Sequence, residues 1–225
     1  MDRETKTYIK NIAVKTVAVT LAVFVVLTAL LILALPKKAS DITYGMGMRK
    51  TACSLMETQY KRTDDINDLS VLFDRVVDLG DEKLMYTYGK EFLEHKYFDD
   101  YCKFKAKTPL TIADTAFKEY VEGYYAVGIM SNSGVDDAVA YLESVTEEYT
   151  ITSPYSFFVY YVAENYDASK SADAEKIVQS LDKIYISMLS EGNYDLKRIA
   201  ADAYDICEKY DLAESAAWQE RYAEE

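Results

Sequence analysis

Histidine is almost absent from this 225-residue chain, with one residue, and cysteine stands at three. So few ligands exclude His-rich metal sites, zinc ribbons and histidine-based catalytic triads. Glycine at eight and proline at three are too scarce for the many tight turns of an all-β fold. Cations are also short: 25 Lys and Arg face 38 Asp and Glu, for a net charge of −13. Phosphate backbones are bound by clustered cations, so no nucleic-acid partner is expected. No glycine-rich loop able to cradle a phosphate occurs, and no cofactor is implied. Half of the residues are hydrophobic and 21 are tyrosine, enough to bury a sizeable core and to exclude wholesale disorder.

The apolar content is concentrated first in one run. Thr16 to Leu35 carries no charge. As a helix it is about 30 Å long, the thickness of a bilayer core. It exceeds the usual apolar region of a secretory signal peptide, and the Leu-Pro-Lys-Lys-Ala-Ser that follows offers no small-x-small cleavage site. This predicts a short tail over 1–10, a transmembrane signal-anchor helix over 11–36 that contacts the lipid bilayer, and one further domain over 37–225. Arg3, Lys6, Lys10 and Lys15 before the span balance Lys37, Lys38, Arg49 and Lys50 after it. Four cations against Asp2 and Glu4 give the first 35 residues +2 and leave −15 for the rest. That short basic tail favours an extracellular or periplasmic position for the acidic domain.

Beyond the span the apolar spacing is helical, which predicts an all-α domain. Starts are expected at Ser40-Asp41, Asp64-Asp65, Asp81, Asp99-Asp100, Thr111 to Asp114, Ser133, Ser153-Pro154, Ser171, Asn193 and Asp211, where cap residues or first-turn acids stand. That makes ten helices, with short links that pack neighbours antiparallel. Alternate starts share a pattern. An acid at 65, 100, 137, 173 and 214 is followed four residues later by Leu69, Phe104, Tyr141, Ile177 and Trp218. The acid suits the positive end of a helix, and the residue four later lies on the same face. Trp218 is therefore expected to pack on the preceding helix.

A period of 35 to 41 residues with this pattern resembles the tetratricopeptide repeat, a helix-turn-helix unit that stacks into an α-solenoid. The best match runs from Leu84 to Leu93 and from Tyr97 to Tyr101. There Gly89 takes the small position where a partner helix approaches, Phe92 is the aromatic one turn later, and Tyr101 stands where alanine is usual. Ala138 and Ala174 keep that position small, whereas the early tryptophan is missing. The resemblance implies a concave groove lined by Lys83, Tyr86, Lys90, Tyr120, Tyr124, Tyr160 and Glu164, which would bind a protein or peptide partner. In layout the chain is similar to bacterial cell-envelope proteins that carry an N-terminal anchor and a repeat domain of this kind, some of which assist translocation or assembly of other envelope proteins.

Catalytic chemistry is thinly represented. His95 has no second histidine four residues away, as a zinc helix needs, and no visible nucleophile. Cys53, Cys102 and Cys207 are far apart in sequence; small apolar packing suits Cys102 and Cys207, and a single bridge stays open among the three. Asp64 to Asp68 lacks the glycine and closing glutamate of a calcium loop. The paired acids recur at helix starts, as capping requires. The expectation is a membrane-anchored scaffold or assembly factor and not an enzyme. The alternatives are a membrane-tethered cytoplasmic adaptor and an enzyme working through two convergent carboxylates.

Overall fold

The computed structural model describes residues 3–106, 116–146, 154–165, 171–191 and 196–223. Among these residues there are twelve helices and no strand, so the chain is all-α as the spacing predicts. The uncharged run lies in α1 (Arg3–Ala34). Within it, Ile12–Leu30 is long and apolar enough to cross a membrane, and none of it is buried by protein. Its Thr20 and Thr28 hydroxyls donate to the carbonyls of Thr16 and Phe24 at 2.9 Å, so neither needs water as a partner. The chain divides into two compact units, Met1–Arg75 and Val76–Glu225.

In the first unit, Leu35 leaves the helical conformation and Pro36 opens α2 (Pro36–Gly45) at the position where a missing N–H is harmless. The expected start at Ser40-Asp41 therefore falls inside α2. Next comes α3 (Arg49–Thr63), which begins after Met48 with no side-chain cap and so left no sequence signal. These two helices replace the single one expected between residue 40 and Asp64. Ser40, fully buried, donates its hydroxyl to the Ala52 carbonyl and fixes α2 against α3. Asp64 ends α3 in the left-handed region (φ 50°), a conformation that Asp tolerates better than most residues. Asp65 then accepts the Asn67 amide at 2.7 Å and starts α4 (Ile66–Leu79), as expected.

The polar centre of this unit is Asp68. Only 5% exposed, it accepts hydrogen bonds from Lys37 Nζ at 2.6 Å, Gln59 Nε2 at 2.9 Å and Thr63 Oγ1 at 2.9 Å. Burial alone would raise its pKa. The three hydrogen bonds and the Lys37 charge outweigh burial and hold the carboxyl below its ordinary value. Asp41 forms a second tie between α2 and α4 by accepting from the buried Arg75, whose guanidinium also lies 5.3 Å from the centre of the Tyr44 ring.

The second unit holds the end of α4, then α5 (Glu82–Leu93), α6 (Phe98–Ala106), α7 (Ala116–Ser133), α8 (Val135–Val145), α9 (Pro154–Asn165), α10 (Ser171–Glu191), α11 (Leu196–Tyr210) and α12 (Ser215–Ala223). Sequence neighbours pair in α7 with α8, α10 with α11 and α11 with α12, while α7 also packs on α9, α9 on α11 and α8 on α10. The main partner of α5 is α7, not α6. The reason is two glycines. A Cβ on Gly128 would stand 2.3 Å from the Tyr86 amide nitrogen, and one on Gly89 would stand 2.8 Å from Tyr125 Cβ. Residue 86 faces 128 and 89 faces 125, so α5 and α7 run antiparallel with backbones close. On the other side of α7, a Cβ on Gly123 would meet the Pro154 carbonyl oxygen at 2.5 Å.

The helix starts follow the sequence with local exceptions. Asp81 accepts the Leu84 amide at 3.1 Å and caps α5. Asp99 and Asp100 fall in the first turn of α6, and Pro154 opens α9. Ser133 closes α7 instead of opening α8, which is preceded by Gly134 at φ 104°. Asp211 ends α11 in the left-handed region (φ 53°), so α12 begins four residues later than expected. Thr111 to Asp114, Ser153 and Asn193 lie outside the described residues.

In the repeated pattern all five acids stand at or within a helix start. Leu69, Ile177 and Trp218 are buried and Tyr141 is half-buried. Phe104 departs from the expectation: it is 62% exposed, because α6 turns Phe98, Tyr101 and Cys102 inward instead. Trp218 is buried and α12 packs on α11, but the ring contact of the indole reaches past it to α10: it stands edge-on to Tyr185 at 5.5 Å, with the Arg221 guanidinium over it at 4.4 Å.

Two measurements check these packing arguments. Gly128→Ala puts a methyl group against the Tyr86 backbone, which a side-chain rotation cannot relieve, and is expected to destabilise by about 1–3 kcal/mol. An unchanged urea midpoint for the full chain in detergent would refute the close approach. Asp68→Asn removes a buried, hydrogen-bonded charge and is expected to cost about 1–3 kcal/mol at neutral pH. The folded pKa of Asp68 lies below its unfolded value, so its ionisation adds stability that is complete above about pH 4 and lost as pH falls through the folded pKa. Unfolding curves measured from neutral to acid pH should show that loss in the wild type and a flatter profile in Asp68→Asn.

Candidate interaction surface

The close packing of α5, α7 and α9 lays aromatic rings side by side. Phe92 on α5 meets Phe117 on α7 edge-on at 5.5 Å, and Phe117 stacks on Tyr120 at 6.1 Å. Tyr120 in turn meets Phe157 on α9 at 5.5 Å and Tyr124 at 5.1 Å, and Tyr124 meets Tyr161 at 6.2 Å. The run thus crosses three helices without a gap. Phe98 and Tyr101 of α6 join it through Phe92 at 5.5 and 6.1 Å. Edge-on geometries dominate, as the ring quadrupole favours.

The residues expected to line a groove divide between two places. Tyr120, Tyr124 and Tyr160 come together where α7 meets α9. Tyr124 is buried there, Tyr120 half-buried and Tyr160 exposed. Tyr86 lies apart from them, half-buried at the α5–α7 contact, with its ring 5.6 Å from Tyr125. Lys83, Lys90 and Glu164 are exposed, and Lys90 stands 3.8 Å from Glu94. Tyr124 and Tyr86 therefore serve helix packing. Phe117, Phe157 and Tyr161 complete the run, and sequence reasoning did not assign them to it. Their only signal is helical spacing: 117, 120 and 124 on one helix, 157 and 161 on the other.

Burial raises the phenol pKa of Tyr124, and proximity to Tyr160 adds to the shift. Tyr125, Tyr141 and Tyr161 are also pushed up, first by burial and then by neighbours that include Tyr86, Glu122 and Glu82 respectively. Tyr161 donates to the Gly80 carbonyl or to Glu82 Oε1, each at 3.4 Å.

Other chemistry is sparse. Cys53, Cys102 and Cys207 are buried thiols outside any disulfide, and burial followed by nearby acids pushes the Cys102 and Cys207 thiols up to about 11. Protonated thiols of that kind are poor nucleophiles. His95 lies just past the end of α5 and accepts the Tyr97 amide on Nδ1 at 3.3 Å. An open cleft between α8 and α10 contains Asp136 and Glu143, each with its own lysine, Lys176 at 2.5 Å and Lys183 at 3.9 Å. Among the described residues no three His, Cys, Asp or Glu side chains gather closely enough to hold a metal ion. Comparison of the chain with protein-family profiles, curated proteins and solved structures finds no match.

The raised phenols have a consequence at alkaline pH. Their folded pKa values exceed the unfolded value, so they stabilise the fold fully below about pH 10 and the contribution is lost as pH rises through the folded values. Spectrophotometric titration of the full chain in detergent should show a late class of phenols that ionises together with loss of helix. A single transition near pH 10 with helicity intact would contradict this packing.

Proposed function

We propose that this protein is a membrane-anchored scaffold or assembly factor of tetratricopeptide-like type, whose helical domain binds protein segments outside the cytoplasm. The aromatic run across α5, α7 and α9 is the observation that carries this reading. It provides a wide platform of which Phe117, Tyr120 and Phe157 are half-exposed and Tyr160 is exposed. Such rings supply binding energy at low entropic cost, and interfaces concentrate energy in them. Lys83 and Lys90 on α5 and Glu164 on α9 are exposed charges of the same helices. The pairing of α7 with α8 and of α10 with α11, with α7, α9 and α11 packed in succession, supports the repeat reading. The basic residues Arg3, Lys6, Lys10 and Lys15 ahead of the uncharged run and the −15 carried beyond residue 35 support an outside position for the domain.

Tyr160→Ala combined with Lys90→Glu alters only exposed groups and should leave the melting curve unchanged. Crosslinking in intact membranes, followed by purification under denaturing conditions, is expected to recover fewer partner proteins with this variant, by at least about tenfold for a lost hot spot. Full retention of the partner set by the folded variant would overturn the platform as a binding surface. External protease in sealed cells should digest the domain; protection until lysis would favour the cytoplasmic adaptor.

A further inference from the structure

The strongest unexplained feature lies beside the anchor. In α2 and the turn after it, Ile42 is 48% exposed, Met46 70% and Met48 49%, with Tyr44 also exposed. Four large apolar side chains open to water within seven residues are unusual for a soluble surface. Along α2, Lys38, Asp41, Ile42 and Gly45 follow helical spacing and all are exposed, whereas Pro36, Ala39 and Ser40 face inward. Around this apolar face the charge is reversed from the rest of the chain. Between residues 36 and 51 stand Lys37, Lys38, Arg49 and Lys50 against Asp41 alone, in a protein of net charge −13. Lys37 and Asp41 are held by Asp68 and Arg75 within the unit, while Lys38, Arg49 and Lys50 are exposed.

Position argues for the occupant. The uncharged run from Thr16 to Leu35 ends just before Pro36, and its 20 residues reach across the hydrocarbon core. Pro36 therefore stands at the boundary between acyl chains and headgroups, and each headgroup layer is about 5–8 Å thick. Leu35 breaks the helix there, and the Lys37–Asp68 and Asp41–Arg75 pairs fix α2 within the first unit. We infer that α2 and the turn to α3 form a second membrane contact, in which Ile42, Met46 and Met48 enter the interfacial layer of an anionic bilayer and Lys38, Arg49 and Lys50 meet its headgroups. Apolar side chains and nearby cations reinforce one another in such binding, and a tyrosine at headgroup depth suits it. The contact would restrain the first unit against the membrane surface instead of leaving it on a free stalk. This inference rests on α1 spanning the bilayer.

The test uses the full chain reconstituted in vesicles of phosphatidylcholine, with and without phosphatidylglycerol. Bromine on the upper acyl chains quenches tryptophan in contact with it. Met46→Trp and, as a reference inside the span, Phe24→Trp are each compared with the wild type to subtract Trp218. The expected result is that emission added at 46 is lost as fully as emission added at 24, and more completely when phosphatidylglycerol is present. Lys38→Glu with Lys50→Glu should abolish the dependence on phosphatidylglycerol. Loss at 24 without loss at 46 overturns the second contact and leaves the anchor standing. No loss at either site overturns the anchor and this inference with it. Equal loss with and without phosphatidylglycerol overturns the assignment to anionic headgroups. If Met46→Trp changes the melting curve, Met48→Trp is read in its place by the same criteria.

Discussion

The backbone contact between α5 and α7 is the constraint on which the second unit depends. Glycine inside a helix costs about 1 kcal/mol relative to alanine, yet this chain places Gly89, Gly123 and Gly128 in helix interiors while having only eight glycines in all. Each one lies where another helix comes too near for a methyl group. The gain is close packing: Tyr86 rests on Gly128, Tyr125 on Gly89, and Phe157 over Gly123. With the helices that close, rings from α5, α7 and α9 reach one another and form one aromatic layer. The proposed binding platform is the outer part of that layer, so the stability of the unit and its proposed function draw on the same contacts.

The first unit is organised by different means. Its polar centre is a carboxylate that collects donors from α2 and α3, and an arginine that reaches back to α2. Hydrogen bonds to a charged group are directional, so they define where α2 sits in a way that apolar contact alone does not. That matters because α2 follows α1, the helix apolar enough to cross a membrane, after a single non-helical residue. A firmly held α2 fixes how α1 enters its unit, and it sets the position of the apolar turn at Met46 and Met48 for which a bilayer contact is proposed.

Much of this was legible in the chain. An uncharged run of the right length, acids at helix starts and a Pro at N1 are local signals, written in consecutive residues, and they located most helices from Asp65 onward. Signals failed where the chain used uncommon residues for a task. α3 starts without a cap, and Asp64 and Asp211 take the left-handed positions that glycine usually fills, so Asp211 reads as a start although it ends a helix. Phe104 misleads for another reason. Spacing from the acid placed it inward, but Tyr101 and Cys102 on the same short helix took the buried positions.

By itself the sequence determined that the chain is helical and that one helix is apolar enough to cross a membrane. These follow from periodicity and composition, which depend on near neighbours. Only the tertiary structure decided that α5 pairs with α7, that Tyr124 is buried while Tyr160 is not, and that Phe117, Phe157 and Tyr161 join one run. The choice of partner depends on how closely two backbones approach, and that distance is set by glycines 39 residues apart in the chain, at 89 and 128, which no local pattern connects.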